Sequence, residues 1–257
     1  MIIDHKGINI NYTDNGTGNT IVLLHGFLEN SNMWLPFITP LSKSNRVICI
    51  DLLGHGKTEC LGYIHTMEQM ANAVYAVLEH LKIKSAYFVG HSMGGYVALA
   101  LADKKPYLFK GLCLMNSTAK ADTSEKKKNR DRAIIAVKQN HRTFIRMSVS
   151  NLFRPKNRTI FIKEIKQVVN EALLTPLQGI IAALEGMKIR KDRSNLLNNN
   201  NYKQLIIIGK RDPVLDYNLI ISQAKNTQIK IVEFPDGHMS HIENKRQLLY
   251  EIMHFIE

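Results

Sequence analysis

Predominantly apolar runs recur along the chain at residues 20–24, 46–50, 86–89, 112–115, 205–208 and 229–232. A run without polar alternation suits a strand covered on both faces of a sheet. Two shorter strands are predicted ahead of them, on either side of Lys6-Gly7. Between the runs lie amphipathic stretches. In 67–81, for example, Met67, Met70, Val74, Val77, Leu78 and Leu81 fall on one side at helical spacing. Strands alternating with helices imply parallel pairing through right-handed crossovers. The pattern therefore predicts an α/β fold, a mostly parallel twisted sheet flanked by helices on both faces.

The alternation breaks once. Residues 117–204 show no clear strand and read as helices with polar interruptions, ending in the asparagine run 198–201. An insertion near the end of a strand commonly overlies the ligand crevice of an α/β sheet. The expected organisation is thus a core of 1–116 and 205–257, with a helical cap, 117–204, inserted after the sixth strand. Charge separates the same units. The cap segment has 19 Lys and Arg against 7 Asp and Glu, while the remainder has 15 of each. The formal net charge of +12 therefore belongs to the cap. Solvated helix faces account for such a balance, and attraction of an anionic substrate or an acidic carrier protein is the alternative. Nucleic acid is not expected, because the basic stretch 126–132 has no interleaved aromatics and no binding motif.

At 257 residues, 45% of them hydrophobic, the chain is long enough for one sizeable domain with a full core. There is no apolar run of transmembrane length and no internal repeat. The N-terminus lacks the basic and apolar regions of a secretory signal. Three cysteines, Cys49, Cys60 and Cys113, do not make a disulfide framework. These points lead to the expectation of a cytoplasmic protein.

Candidate chemistry centres on Gly90-His91-Ser92-Met93-Gly94-Gly95, which follows the apolar run at 86–89 and precedes a helix-compatible run at 96–104. This is the G-x-S-x-G pattern in a strand–turn–helix setting, where the serine is strained and exposed and a Cβ at the flanking glycines would collide with neighbouring backbone. A serine hydroxyl needs a base to become a useful nucleophile. In α/β hydrolases the partners follow in the order Ser, Asp or Glu, His. Here Asp212 follows the strand at 205–208, and His238 follows the one ending at Phe234.

With His25-Gly26-Phe27, Asp51-Leu52-Leu53-Gly54-His55-Gly56, the serine turn, the Asp212 loop and Gly237-His238 in order, the chain resembles the α/β-hydrolase fold superfamily. The resemblance is to its group of small capped esterases and covers nearly the full length apart from the cap. It implies Ser92 as nucleophile, His238 as base and Asp212 as the acid that orients the base. His241 and Asp216 are the competing base and acid. Ser240 and Glu243 read as a capping box that starts the last helix at His241, and Asp212-Pro213 also fits a helix start. The implied oxyanion donors are the backbone N–H groups of Phe27 and Met93. His25, His55 and His91 match positions with structural or pocket-lining roles. His25, His91 and Trp34 are candidate pocket residues, with packing as the alternative for each.

Serine at position 92 disfavours relatives with an aspartate nucleophile, such as epoxide hydrolases and haloalkane dehalogenases. No metal-ligand spacing, G-x-G-x-x-G or P-loop is present, so no metal and no cofactor are expected. The resemblance implies a serine esterase acting on a small-molecule carboxylic ester or thioester. Similarity to carrier-linked methyl esterases of biotin synthesis extends this to an anionic or acyl-carrier-linked ester. The alternatives are a non-hydrolytic lyase of the menaquinone-pathway type, a carbon–carbon bond hydrolase, and a slow-turnover ligand receptor.

Overall fold

The computed structural model describes residues 1–198 and 201–257. Its sheet contains eight strands among the described residues: β1 (Ile2–His5), β2 (Ile8–Asn15), β3 (Asn19–Leu24), β4 (Asn45–Ile50), β5 (Ala86–His91), β6 (Phe109–Met115), β7 (Lys203–Gly209) and β8 (Lys230–Phe234). Their order is β1-β2-β4-β3-β5-β6-β7-β8. The β1–β2 and β2–β4 pairs are antiparallel, and the pairs from β4 through β8 are parallel. The expected mostly parallel sheet is present. Some strands outrun the apolar runs that signalled them. In β6, Phe109 already pairs with Ala86 although Lys110 and Gly111 interrupt the apolar pattern.

Side-chain alternation splits the strands between two cores. Ile21, Leu23, Val47, Cys49, Val89 and Ile207 face α1 (Leu35–Leu41) and the C-terminal helix, through Phe37, Leu41, Leu248 and Ile252. Val22, Leu24, Ile48, Ile50, Phe88, Leu114 and Ile206 face the other way, onto α2 (Met67–His80) and α3 (Met93–Lys104). Each fully buried Leu or Ile of this kind contributes about 1.5–3 kcal/mol. Thr66 begins α2 with a capping box, its hydroxyl accepting from Gln69 N–H at 3.1 Å and Gln69 Oε1 accepting from Thr66 N–H at 2.9 Å.

Between β6 and β7 run α4 (Ser124–Gln139), α5 (His141–Leu152), α6 (Asn157–Ile160), α7 (Ile162–Ala172) and α8 (Leu177–Lys188). In the asparagine run at 198–201, Asn199 and Asn200 lie outside the described residues. The last of these helices, α8, meets the core through glycines seven residues apart. A Cβ on Gly179 would strike the Gly54 backbone, and one on Gly186 the carbonyl of His65. The close approach lets His65 N–H donate to Ala182 O at 2.9 Å. Arg193, just beyond α8, reaches Glu68 at 2.7 Å and Asp103 at 3.2 Å and so ties the insert to α2 and α3.

The chain then passes through β7, α9 (Tyr217–Gln223), β8, α10 (Ser240–Glu243) and α11 (Lys245–Ile256). The expected capping box at Ser240 and Glu243 does not form. Ser240 is itself the first residue of α10, and its buried hydroxyl donates to Asn116 Oδ1 at 2.6 Å. The Glu243 carboxylate instead accepts from Asn157 Nδ2 at 2.8 Å and from Arg154 and Gly237 N–H at 3.1 Å. Tertiary partners engage both groups, and Glu243 keeps only a local contact to Met239 N–H at 3.3 Å. Asp212 is not a helix cap either, since Asp216 caps α9 through Leu219 N–H at 3.0 Å.

Replacing Gly186 with alanine is expected to destabilise the fold by about 1–3 kcal/mol through overpacking against a backbone that cannot yield. Urea unfolding at pH 7 measures this, and wild-type stability would contradict the close approach.

Candidate active site

Strand order reverses between β3 and β5, because β4 lies on one side of this pair and β6 on the other. The carboxyl ends of strands flanking such a switch point leave a crevice. Leu24 pairs with Gly90, so the segments 25–29 and 91–93 leave the sheet side by side. Next to them, Met115 pairs with both His91 and Ile207, and Gly209 pairs with Phe234. The loops carrying Phe27, Ser92, Asn116, Asp212 and His238 therefore emerge along one edge.

Ser92 has φ 49° and ψ −112°, a conformation costly for any residue with a Cβ. Its surroundings hold it there. Ser92 N–H donates to Met115 O at 2.9 Å, and Ser117 Oγ donates to Ser92 O at 2.7 Å. A Cβ on Gly90 would lie 2.5 Å from Gly95 N, and one on Gly94 would meet the carbonyls of Leu24 and His25. The glycines allow α3 to begin directly over β3 and β5. Leu28 (φ 62°) and Asn116 (φ 46°) are further non-glycine residues with positive φ at the same edge.

Asp212 and His238 are in direct contact. His238 Nδ1 donates to Asp212 Oδ2 at 2.7 Å, and in the neutral tautomer that this pairing selects Nε2 is the nitrogen able to accept a proton. Asp212 Oδ1 accepts from Val214 and Leu215 N–H at 2.8 and 3.0 Å, and Asn116 Nδ2 donates to Oδ2 at 3.0 Å. Burial alone would raise the Asp212 pKa. The charge and hydrogen bond of His238, with the Asn116 and Val214 donors, hold it below the usual carboxylate range. Among the described residues no hydrogen bond joins Ser92 Oγ to His238, a contact that commonly tightens only with substrate bound.

The Phe27 peptide is fixed from its other end. Gly26 O lies 2.7 Å from His25 Nδ1 and accepts from Glu29 N–H at 3.3 Å. In a planar trans peptide the Phe27 N–H then points the opposite way. Met93 is the first residue of α3, where an N–H has no acceptor within the helix. His25 is completely buried, with Nε2 accepting from Leu52 N–H at 2.9 Å, so it pins two loops together. His91 is also buried, between Glu29 and the carbonyl of His238. His55 packs edge-on to Phe27. Trp34 is completely buried against Phe37 in the core below the sheet, where it serves packing.

Asn116 and Glu29 escape a reading of the sequence. Asn116 joins Asp212, Gly237 O and Ser240, and Glu29 joins Gly26 and His91. Their partners on other loops leave no local pattern. His241, the competing base, points at Glu29, with Nε2 3.6 Å from Oε1. Glu29, His91 and His241 lie close enough to suggest metal ligands. Both His91 nitrogens, however, already face protein oxygens, Nδ1 that of Glu29 at 2.6 Å and Nε2 the carbonyl of His238 at 3.0 Å.

The family described as alpha/beta hydrolase fold matches residues 19–245. The 3-oxoadipate enol-lactonase 1 of Acinetobacter baylyi is 26% identical over 100% of this chain and 96% of its own length. The dihydrolipoyllysine-residue acetyltransferase component of the acetoin cleaving system of Pseudomonas putida is 25% identical over 93% of this chain. The chain spans 64% of that relative's length. A thermophilic esterase from Thermogutta terrifontis, solved with malate bound, superposes with a TM-score of 0.90 at 28% identity. That match covers 99% of this chain and 96% of the esterase.

Burial holds several histidines near the site neutral. It pushes His55 down to about 3 and His65 and His241 to about 4. The unfolded chain takes up protons at these positions near pH 6.5, whereas the native chain does not until lower pH. Their contribution is therefore full above pH 6.5 and lost as pH falls toward 4. Urea titrations should show stability dropping across that window, and a flat profile would contradict the burial of these rings as neutral groups.

Proposed function

The chain belongs to the α/β-hydrolase fold family, and from that premise we propose that it is a serine hydrolase cleaving a carboxylic ester or thioester through an acyl-enzyme. Ser92 Oγ attacks the carbonyl carbon as His238 Nε2 takes its proton, and Asp212 stabilises the imidazolium. The Phe27 and Met93 N–H groups receive the negative charge of the carbonyl oxygen. Collapse of the tetrahedral intermediate expels the alcohol or thiol, which takes the proton from His238. Water activated by the same imidazole then releases the acid and restores Ser92. The observation that carries this reading is the 2.7 Å pair between His238 Nδ1 and Asp212 Oδ2, at the same sheet edge as a serine held at positive φ. The esterase and enol-lactonase relatives support it, since a lactone is a cyclic ester and its opening breaks the same acyl–oxygen bond.

In this reading the insert 117–204 is a cap over the crevice. Several of its cations serve structure. Arg130 and Arg190 converge on Asp122, Arg154 pairs with Asp236, and Lys188 with Asp131 and Glu185. Lys126 differs. It is half-buried on the same side of α4 as Arg130, Ile134 and Val137, and no carboxylate pairs with it among the described residues. Burial, with Arg190 and Arg130, lowers its pKa, while Asp122 and Asp212 oppose this. A cation so placed favours an ester that carries a second, anionic group.

Hydrolysis of p-nitrophenyl acetate, butyrate and octanoate by wild type and Ser92→Ala tests the proposal. Turnover by the wild type should fall by at least about 10³-fold in the variant. Wild-type turnover no better than that of Ser92→Ala would remove the esterase reading and bring the lyase and carbon–carbon hydrolase alternatives forward.

A further inference from the structure

His25 and His91 stand at the ends of adjacent strands, and their partners give them different charge states. His25 Nε2 accepts from Leu52 N–H, so its one proton sits on Nδ1, facing Gly26 O. Among the described residues, no donor faces His91. Its Nδ1 lies 2.6 Å from Glu29 Oε2, and its Nε2 lies 3.0 Å from the carbonyl oxygen of His238. A neutral ring would turn a lone pair toward one of these oxygens, and only the imidazolium satisfies both. The same Glu29 oxygen accepts from Gly26 N–H at 2.7 Å. One buried ion pair thus touches the loop of Phe27, the strand end that carries Ser92, and the loop of His238.

The groups around the ring act in both directions. Burial opposes a charge on His91, whereas Glu29, the His238 carbonyl and Asp212 favour it, and its pKa lies above that of an ordinary histidine. The His238 ring at 5.1 Å, the His241 ring at 5.4 Å, and His25 add no favourable charge. For Glu29, burial alone would raise the pKa, yet His91, His241 and His25 hold it down to about 2.

We propose that His91 is a positioning residue that works as a buried imidazolium, bracing the oxyanion loop through Glu29 and the base loop through the His238 carbonyl. It touches no substrate, being only 1% exposed. The proposal rests on the assignment of Ser92, His238 and the Phe27 N–H as the reacting groups. A brace of this kind persists below the His91 pKa and fails as pH rises through it.

Nitrogen–proton correlation spectra of the full chain labelled with ¹⁵N-histidine test the charge state without reference to turnover. At pH 7.5 one buried histidine should carry protons on both nitrogens. Its signal should vanish in His91→Gln and become that of a neutral ring in Glu29→Gln. With p-nitrophenyl butyrate, Glu29→Gln should lower kcat by about 100-fold, the scale expected for misplaced reacting groups, with little change in KM. It should also move the alkaline loss of kcat to lower pH. A His91 with one bare nitrogen in the wild type, or a wild-type kcat in Glu29→Gln, would overturn the proposal. If the variant does not fold, the wild-type spectrum and alkaline limb decide alone. Spectra of Ser92→Ala separate the two claims, because they report the charge on His91 even if that variant keeps its esterase activity.

Discussion

The backbone conformation forced on Ser92 is the constraint from which the rest of the edge follows. A residue with a Cβ at φ 49° and ψ −112° persists only where its neighbours leave no alternative. Here β5 and α3 meet with no room for a linker, and Gly90, Gly94 and Gly95 let helix and strand backbones approach. Ser92 is left half-buried at the switch point of the sheet, and the first N–H of α3 is left without a helical acceptor. Ser117, two residues past the end of β6, closes the arrangement by donating to the Ser92 carbonyl.

Around this turn, hydrogen-bond partners set the charge of each buried group. Asp212 is ionised because His238, Asn116 and two backbone N–H groups all donate to it. His25, just past β3, and His91, the last residue of β5, stand side by side at the sheet edge, yet one accepts from Leu52 while the other faces only oxygens. Low dielectric makes such choices costly to reverse, because an unpaired charge or lone pair there has no water to turn to. The loops of the site are therefore coupled through electrostatics as much as through packing.

The sheet was legible in the sequence because its central strands are buried on both faces and appear as predominantly apolar runs. The loops of Ser92, Asp212 and His238 were legible because each follows such a run. Glu29 and Asn116 were not, since their partners lie 62 and 96 residues away and neither belongs to a local motif. At Ser240 and Glu243 the local pattern misled, as a buried hydroxyl and carboxylate found stronger tertiary partners than the helix end could offer. Docking of α8 through Gly179 and Gly186 was equally hidden, because close approach shows only when the facing backbone is known.

The most direct test of the central claim is labelling with a fluorophosphonate, followed by mass spectrometry of the digested protein. An activated Ser92 predicts one adduct per chain, on the peptide containing residues 90–95, and none in His238→Ala. An adduct on another residue, or no adduct in a protein that still hydrolyses esters, would contradict Ser92 as the nucleophile.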